Sequence, residues 1–149
     1  MKLEEEIKGR FRNEYHKGLI NLNYTTKQLS YKFLQSLKSH GIAEQQYNVL
    51  RILRGFRPEA PLTISFIKER MLDRDSDVSR IIDRLYEKEY VSRVENSKDR
   101  RQKSVEITEK GLALLDKMFS IEQKVDTMLA NLADHEVVEL NRILDKIRD

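Results

Sequence analysis

A helical pattern followed at once by a polar hairpin, in residues 75–108, is the feature that most restricts the fold of this chain. The helix is expected to begin at Asp75, a residue type that favours N-caps, because apolar residues then recur in steps of three and four. These apolar residues are Val78, Ile81, Ile82 and Leu85. Two β-prone segments follow, Val91–Asn96 and Lys103–Thr108, and the polar sequence SKDRRQ joins them. The pattern predicts an amphipathic helix and then a hairpin with a charged tip.

The residues before this segment predict three further helices. Apolar residues recur at helical spacing throughout residues 7–37, and the stretch Asn21–Thr26 can bend or break that long helix. A second, short helix ends at Gly55, and Thr63 can cap a third helix that reaches about Met71.

The residues after the hairpin predict two more helices. Thr108 is expected to cap a long fifth helix that continues to Leu132, and a sixth helix follows Asp134. We see no repeat, low-complexity tract or linker, so residues 1–149 are expected to form a single domain. The predicted fold is mainly α with a small β-hairpin wing.

Composition narrows the class of protein. The chain has no cysteine, which rules out disulfides, a thiolate zinc site and a thiol-based redox switch. Its three histidines show no metal-ligand spacing, and no phosphate-binding or nucleophile motif is present, so we expect no metal, no cofactor and no enzymatic activity. No run approaches the ~20 apolar residues that span a bilayer, and the acidic start MKLEEEIKGR is unlike a signal peptide. We expect a cytoplasmic protein without a membrane partner.

The excess positive charge is concentrated in one short segment. The formal net charge is +3, and residues 93–103 alone carry five cations against two anions. The cations are Arg93, Lys98, Arg100, Arg101 and Lys103. Two interpretations are open: a solvated charged loop, or a surface that contacts phosphate groups.

The predicted helix before the hairpin has the build of a helix that enters the major groove of DNA. Such a helix needs an apolar back and small or hydrogen-bonding residues in front, near its N-terminal end. Here the front carries Ser76, Ser79 and Arg80, and Arg80 can reach guanine O6 and N7. An ordinary surface helix with alternating charges is the alternative.

The hairpin tip favours the interpretation as a DNA-binding element. It presents Lys98, Arg100 and Arg101 without apolar cover, and an arginine so placed can enter a narrow A·T-rich minor groove. Asp99 is explained best as an ion-pair partner of Arg101 or of Arg84 in the preceding helix. A solvated Asp99 is the alternative.

Four segments resemble the MarR family of bacterial regulators. They are QYNVLR at residues 46–51, DVSRIIDRL at 77–85, DRR at 99–101 and ITEKG at 107–111. The most specific pattern is Asp-x-Arg at the wing, followed at this spacing by Leu/Ile-Thr-x-x-Gly. The resemblance covers nearly the whole chain, and it implies a winged helix-turn-helix lobe in residues 44–108 with dimerisation helices in residues 1–40 and 112–149.

The resemblance implies a homodimer that binds double-stranded DNA at a pseudo-palindromic operator, commonly as a repressor. Arg101 would lie in the minor groove with Asp99 orienting it, and Arg84 would touch phosphate or pair with Asp99. The full set of predicted DNA-binding residues is Ser76, Asp77, Ser79, Arg80, Arg84, Lys98, Asp99, Arg100, Arg101 and Lys103. Apolar stripes on the terminal helices fit the pairing of two chains, although they can also pack within one chain.

The resemblance also implies a cleft for a small aromatic or anionic effector. Candidate lining residues are Tyr15, Tyr24, Tyr47 and Phe56, with a plain role in the core as the alternative for each.

Two positions depart from the family pattern. Glu89 stands where the family usually has a glycine after the recognition helix, and a left-handed backbone there would cost about 1–2 kcal/mol relative to glycine. The helix can instead end in another way. Ala133 stands where the last helix often has a serine cap, and Asp134 is expected to take over that role.

A second function is compatible with the residues, namely a winged-helix module that holds a protein partner. A protein-binding wing should show an apolar anchor, whereas this tip is cationic. Binding to a duplex that falls steeply with added salt would favour the DNA-binding function.

Overall fold

The computed structural model describes residues 1–95 and 103–149, which form eight α-helices, one short 3-10 turn and a three-stranded antiparallel sheet. The chain divides into two units, Met1–Ser36 and Leu37–Asp149. The helices are α1 Leu3–Ile7, α2 Glu14–Lys38, α3 Glu44–Gly55, α4 Ile64–Glu69, α5 Val78–Glu87, α6 Glu109–Lys117, α7 Phe119–Thr127 and α8 Asp134–Arg148. The strands are β1 Leu62–Thr63, β2 Val91–Glu95 and β3 Lys103–Ile107.

In the first unit, the predicted long helix is interrupted at a different place from the one expected. A break at Asn21–Thr26 is ruled out, because α2 runs through that stretch without interruption. The interruption lies between α1 and α2, where Lys8 adopts a left-handed backbone with φ of 50°. Lys17 forms an ion pair of 2.5 Å with Glu4, which ties α2 back to α1 across this turn.

The core of the second unit is built around α3. Its apolar residues lie on one face and are buried against α5, α6 and β3. The largest fully buried side chains of the unit are Leu37, Tyr47, Leu50, Ile67, Ile82, Leu85, Leu115 and Met118. Gly55 is the last residue of α3, as predicted.

The two helices of the helix-turn-helix begin at capped positions. Thr63 caps α4 as predicted, because its hydroxyl oxygen accepts a hydrogen bond of 3.1 Å from the Phe66 N–H. The prediction that Asp75 caps the next helix is wrong. The cap of α5 is Asp77, whose carboxylate accepts a hydrogen bond of 3.2 Å from the Arg80 N–H.

The predicted hairpin is confirmed, and the sheet contains one strand more than expected. Strands β2 and β3 pair antiparallel, with Val91 opposite Ile107 and Arg93 opposite Val105. The additional strand β1 pairs with the other edge of β3, where Leu62 lies opposite Val105. The hairpin is thereby attached to the segment that leads into α4.

The C-terminal helices differ from the prediction at two points. The expected long fifth helix is two helices, α6 and α7, separated at the buried Met118. Thr108 does cap α6, since its hydroxyl accepts from the Gly111 N–H at 3.1 Å. Asp134 is not the cap of the last helix. The N-cap of α8 is Ala133, and the Glu136 carboxylate accepts a 2.8 Å hydrogen bond from its N–H.

Across residues 1–95 and 103–149, no helix is both long enough and apolar enough to cross a membrane. The same residues contain no group of three or more histidine and carboxylate side chains arranged to hold a metal ion.

Candidate nucleic-acid interface

The front of α5 is open to solvent and its back is buried, as predicted. Ser79, Arg80 and Arg84 are exposed. The buried back consists of Val78, Ile81, Ile82 and Leu85. Among the described residues, no carboxylate forms an ion pair with Arg80 or Arg84, so both guanidinium groups have donors to offer a ligand. Asp77 is also exposed, but its carboxylate already accepts a hydrogen bond as the cap of the helix.

Ser76 does not belong to this open front. Only 5 % of its surface is exposed, so the prediction that it lies beside Ser79 on the outer face is wrong. The reason is the displaced cap: since α5 begins after Asp77, Ser76 belongs to the preceding turn. There its N–H donates to the Asp73 carbonyl oxygen at 3.3 Å and its own carbonyl oxygen accepts from the Val78 N–H at 3.1 Å.

The tip of the wing lies outside the described residues. This applies to Lys98, Asp99, Arg100 and Arg101, whose predicted roles stay predictions. Lys103 is described, and it is the exposed first residue of β3, opposite Glu95 at the end of the hairpin nearest the tip. In the sequence, Lys103 directly follows the segment that carries the predicted wing contacts.

One cation of the basic segment forms an ion pair within the protein. Arg93, in the middle of β2, donates a hydrogen bond to the Asp83 carboxylate on α5. Its guanidinium carbon also lies 4.4 Å from the centroid of the Tyr86 ring. Arg93 is one of the five cations of the basic segment that could have contacted phosphate, and its contact with Asp83 was not predicted because no local pattern relates β2 to the face of α5.

At the junction between α5 and the wing, the sequence allowed either a left-handed backbone at Glu89 or another ending of the helix, and the structure has the left-handed backbone. Glu89 has φ of 63°, so α5 ends with the backbone conformation that favours glycine. The next residue, Tyr90, accepts a 3.1 Å hydrogen bond at its carbonyl oxygen from the Thr108 N–H. The entrance and the exit of the wing are therefore joined at this point.

Two of the aromatic residues predicted to line an effector cleft lie in the second unit. Tyr47 is buried in α3, and burial raises the pKa of its phenol. Phe56 packs edge-on against Phe66 with ring centroids 5.2 Å apart, and Arg70 lies 4.9 Å from the Phe56 ring centroid. Both residues have contacts that fit the alternative of a role in the core.

The other two candidates lie in the first unit. Tyr15 is 91 % exposed on α2. Tyr24 donates a 2.7 Å hydrogen bond from its hydroxyl to the Glu6 carboxylate, and this bond raises the pKa of the phenol. The grouping of the four aromatic residues around a small aromatic or anionic effector stays a prediction.

Comparison with known proteins bears on the same segment of the chain. Residues 42–103 match the model of the MarR family, a range that runs from α3 to the start of β3. The chain is 27 % identical over 114 residues to the HTH-type transcriptional regulator MhqR of Bacillus subtilis, covering 74 % of this chain and 75 % of that protein. It is 25 % identical over 129 residues to the HTH-type transcriptional repressor MdtR of the same species, covering 86 % of this chain and 81 % of that protein.

Solved structures show the same fold over most of the chain. A mutant MarR from E. coli complexed with operator DNA superposes with a TM-score of 0.75 and 25 % identity, over 93 % of this chain and 99 % of that one. The complex of S. aureus MepR with DNA gives a TM-score of 0.73 at 22 % identity, over 84 % of this chain and 94 % of that one. Residues 42–103, which span the helix-turn-helix and β2, match the MarR family model, so the chain is a DNA-binding transcriptional regulator similar to the members of that family.

Proposed function

We propose that this regulator acts in the cytoplasm as a homodimer on a pseudo-palindromic operator, most simply as a repressor. The observation that carries the proposal is the front of α5, where Arg80 and Arg84 are exposed and unpaired among the described residues while the opposite face is fixed in the core. A helix held in this way can enter the major groove with its N-terminal half leading.

Each exposed residue of the front has a proposed contact. Arg80, in the first turn of α5, donates to the O6 and N7 atoms of a guanine, which is worth roughly 1–3 kcal/mol of discrimination against the wrong base. Ser79 donates to a neighbouring base edge or phosphate, and Arg84, one turn further along, contacts phosphate. Ser76 is left out of this set because it is buried.

The wing contributes contacts in the flanking minor groove. Lys103 lies at the end of β3 nearest the tip and is proposed to contact phosphate. For Lys98, Arg100 and Arg101, with Asp99 orienting the last of these, the proposal rests on the sequence alone. Arginine at such a tip is attracted by the negative potential of a narrow minor groove.

The dimer is supported by apolar side chains that the single chain leaves exposed on its terminal helices. They are Tyr15, Leu19 and Leu22 on α2 and Val138, Ile143 and Ile147 on α8. Exposed apolar surface on helices of this kind fits a contact with a second copy of the chain. A two-fold axis would place two copies of α5 about one helical turn apart on the duplex, ~34–36 Å.

Repression is the simplest regulatory outcome, because a dimer that occupies an operator competes with other proteins for the same DNA. The relative MdtR is named a transcriptional repressor, which supports the same outcome here. The predicted small aromatic or anionic effector would release the operator only if it bound the two states unequally. A hundredfold weakening needs about 2.7 kcal/mol of coupling.

Selection of bound duplexes from a random pool tests the proposal. We expect two inverted half-sites whose centres lie about one helical turn apart, and binding that weakens steeply as salt rises. Arg80→Ala should weaken binding to the selected duplex about tenfold and relax the preference at one base pair of each half-site. Lys117→Ala, which removes an exposed cation at the end of α6, is the matched control and should bind as the wild type does.

The selection can also contradict the proposal. Enrichment of a single, asymmetric site would overturn the homodimeric operator. No retention of any duplex at low salt, together with salt-insensitive capture of a protein, would favour the winged-helix interaction module instead.

A further inference from the structure

One side-chain cluster joins the wing directly to the recognition helix. Arg93 of β2 donates to the Asp83 carboxylate and lies 4.4 Å from the centroid of the Tyr86 ring. Asp83 and Tyr86 are three residues apart on α5, so they lie on the same face and one guanidinium can engage both. We call Arg93, Asp83 and Tyr86 the wing lock.

The wing lock lies on the face of α5 that the proposed DNA contacts use. Asp83 follows Ser79 by four residues and Arg80 by three, so the three side chains are neighbours on the surface of the helix. The Arg93 side chain is 32 % exposed and that of Asp83 is 61 % exposed. The contact is therefore at the edge of the candidate interface and not within the core.

The backbone connects α5 to the wing through one short junction. Three residues, Lys88–Tyr90, separate α5 from β2, and within them Glu89 donates to the Tyr86 carbonyl oxygen and Tyr90 to the Leu85 carbonyl oxygen, both at 3.0 Å. The base of the hairpin is held as well by the pairing of β1 with β3, where Leu62 lies opposite Val105. Arg93 adds a direct side-chain attachment between β2 and α5, three residues beyond Tyr90, and so restricts the angle between the strand and the helix.

We propose that Arg93 is a positioning residue for operator recognition: the wing lock sets the angle between the wing and α5, so that major-groove and minor-groove contacts are made together. The inference rests on the proposed function, because it concerns how two contacts with one duplex are coordinated. If the wing were displaced by about 1 Å relative to α5, the binding of DNA would weaken markedly, because α5 and the wing must contact the same duplex at the same time.

The role differs measurably from that of an ordinary ion pair. A surface pair of this exposure contributes little to folding, so its loss leaves the protein folded with a nearly unchanged melting temperature. If the contact also positions the wing, its loss weakens the binding of DNA, and it weakens the minor-groove contacts of the wing more than the major-groove contacts of α5. The sequence preference in the flanking segment, where the wing lies, should be lost before the preference in the half-site that α5 contacts.

The experiment uses the full chain and the duplex selected for it, with Arg93→Gln, Asp83→Asn and the double variant. Dissociation constants are measured for the selected duplex and for duplexes in which only the flanking segment is changed from A·T-rich to G·C-rich. We expect Arg93→Gln to weaken binding about tenfold and to abolish most of the discrimination between the flanks. Asp83→Asn should weaken binding severalfold, and the double variant should bind like Arg93→Gln, because both substitutions break one contact.

Arg148→Gln is the matched control, since it removes one charge and one ion pair, with Asp145, from an exposed position on α8. It should change neither the affinity nor the flank discrimination. The proposal is overturned if Asp83→Asn tightens binding and restores the affinity of Arg93→Gln, because Arg93 would then only neutralise a repulsive carboxylate. Wild-type binding that is tight but unaffected by Arg93→Gln overturns the wing lock alone, whereas absence of wild-type binding to any duplex overturns the proposed function as well.

Discussion

The Thr108 hydroxyl donates a 2.7 Å hydrogen bond to the Glu89 carbonyl oxygen, and this bond joins the end of the wing to the junction that leads from α5 into it. The same hydroxyl oxygen accepts from the Gly111 N–H at 3.1 Å and so caps α6. One side chain thus connects the recognition helix, the wing and the helix that follows. The backbone at Glu89 is therefore part of the attachment of the wing.

Glu89→Gly should stabilise the protein. The left-handed backbone at φ of 63° costs a side chain about 1–2 kcal/mol that glycine avoids, and the greater freedom of glycine in the unfolded state offsets part of this gain. We expect a net gain of about 1 kcal/mol and a melting temperature about 2–4 °C higher. Thermal unfolding followed by circular dichroism is the measurement.

The control for this substitution is Glu89→Ala, which removes the carboxylate and its 3.4 Å contact with Lys110 but keeps a Cβ in the left-handed region. It should leave the melting temperature almost unchanged. Equal stabilisation by alanine and glycine would show that the carboxylate, and not the backbone, is the source of the strain.

Gly111→Ala should destabilise the protein through a steric clash. A Cβ at this position would lie 2.4 Å from the Tyr90 carbonyl oxygen and 2.8 Å from Cγ1 of Ile107, so the wing junction would have to shift. We expect a loss of about 1–3 kcal/mol in denaturant unfolding. Gly55→Ala is the control, because nothing lies within 4 Å of its Cβ position and it should be neutral or slightly stabilising. A neutral Gly111→Ala would mean that Tyr90 does not approach α6 so closely.

Asp77→Ala should lower the free energy of unfolding by about 1 kcal/mol, since it removes the cap of α5. Asp77→Asn should be nearly as stable as the wild type, because asparagine caps helices as well as aspartate does. The pair of variants separates the cap from the predicted DNA contact: a stable Asp77→Asn with altered base preference identifies a contact with DNA. If Asp77→Asn were as unstable as Asp77→Ala, the carboxylate charge, and not the hydrogen bond, would be what stabilises the helix.

Local signals predicted much of this fold. Thr63 and Thr108 cap the helices expected of them, and the apolar stripe on α5 is buried as its spacing indicates. The cap of α5 was misplaced because Asp73, Asp75 and Asp77 alternate before the helix, and each is a suitable cap by residue type. That displacement of two residues is what put Ser76 wrongly on the open face.

The features that the sequence analysis missed depend on contacts between distant residues. Strand β1 is only two residues long and exists because Leu62 pairs with Val105. The break at Met118 is invisible in the apolar pattern, because Met118 is itself buried and continues that pattern. The wing lock between Arg93 and Asp83 could not be predicted without the angle between β2 and α5.

Glu122→Gln should weaken the attachment of α3 to α7. The Glu122 carboxylate lies 2.5 Å from Nη2 of Arg54 and 3.9 Å from Nε of Arg51, and its side chain is only 23 % exposed. Because solvent screens this pair incompletely, we expect a loss of about 1–2 kcal/mol in the free energy of unfolding, between the values typical of exposed and of buried pairs. Glu139→Gln breaks the exposed pair with Arg142 and should hardly change the melting temperature. Equal effects of the two substitutions would contradict a structural role for Glu122.

Ile147→Glu should dissociate the proposed homodimer. Ile147 is 63 % exposed on α8 in the single chain, and a dimer contact there would force an unpaired carboxylate out of water. We expect the wild type to sediment as a dimer at micromolar concentration and Ile147→Glu to sediment as a monomer with weakened operator binding. Leu72→Gln is the control, because Leu72 is 86 % exposed in the turn between α4 and α5 and belongs to none of the terminal helices, so its loss should leave the dimer intact. A wild type that is monomeric at these concentrations, or an Ile147→Glu variant that remains dimeric, would show that α8 does not form the contact between the two chains.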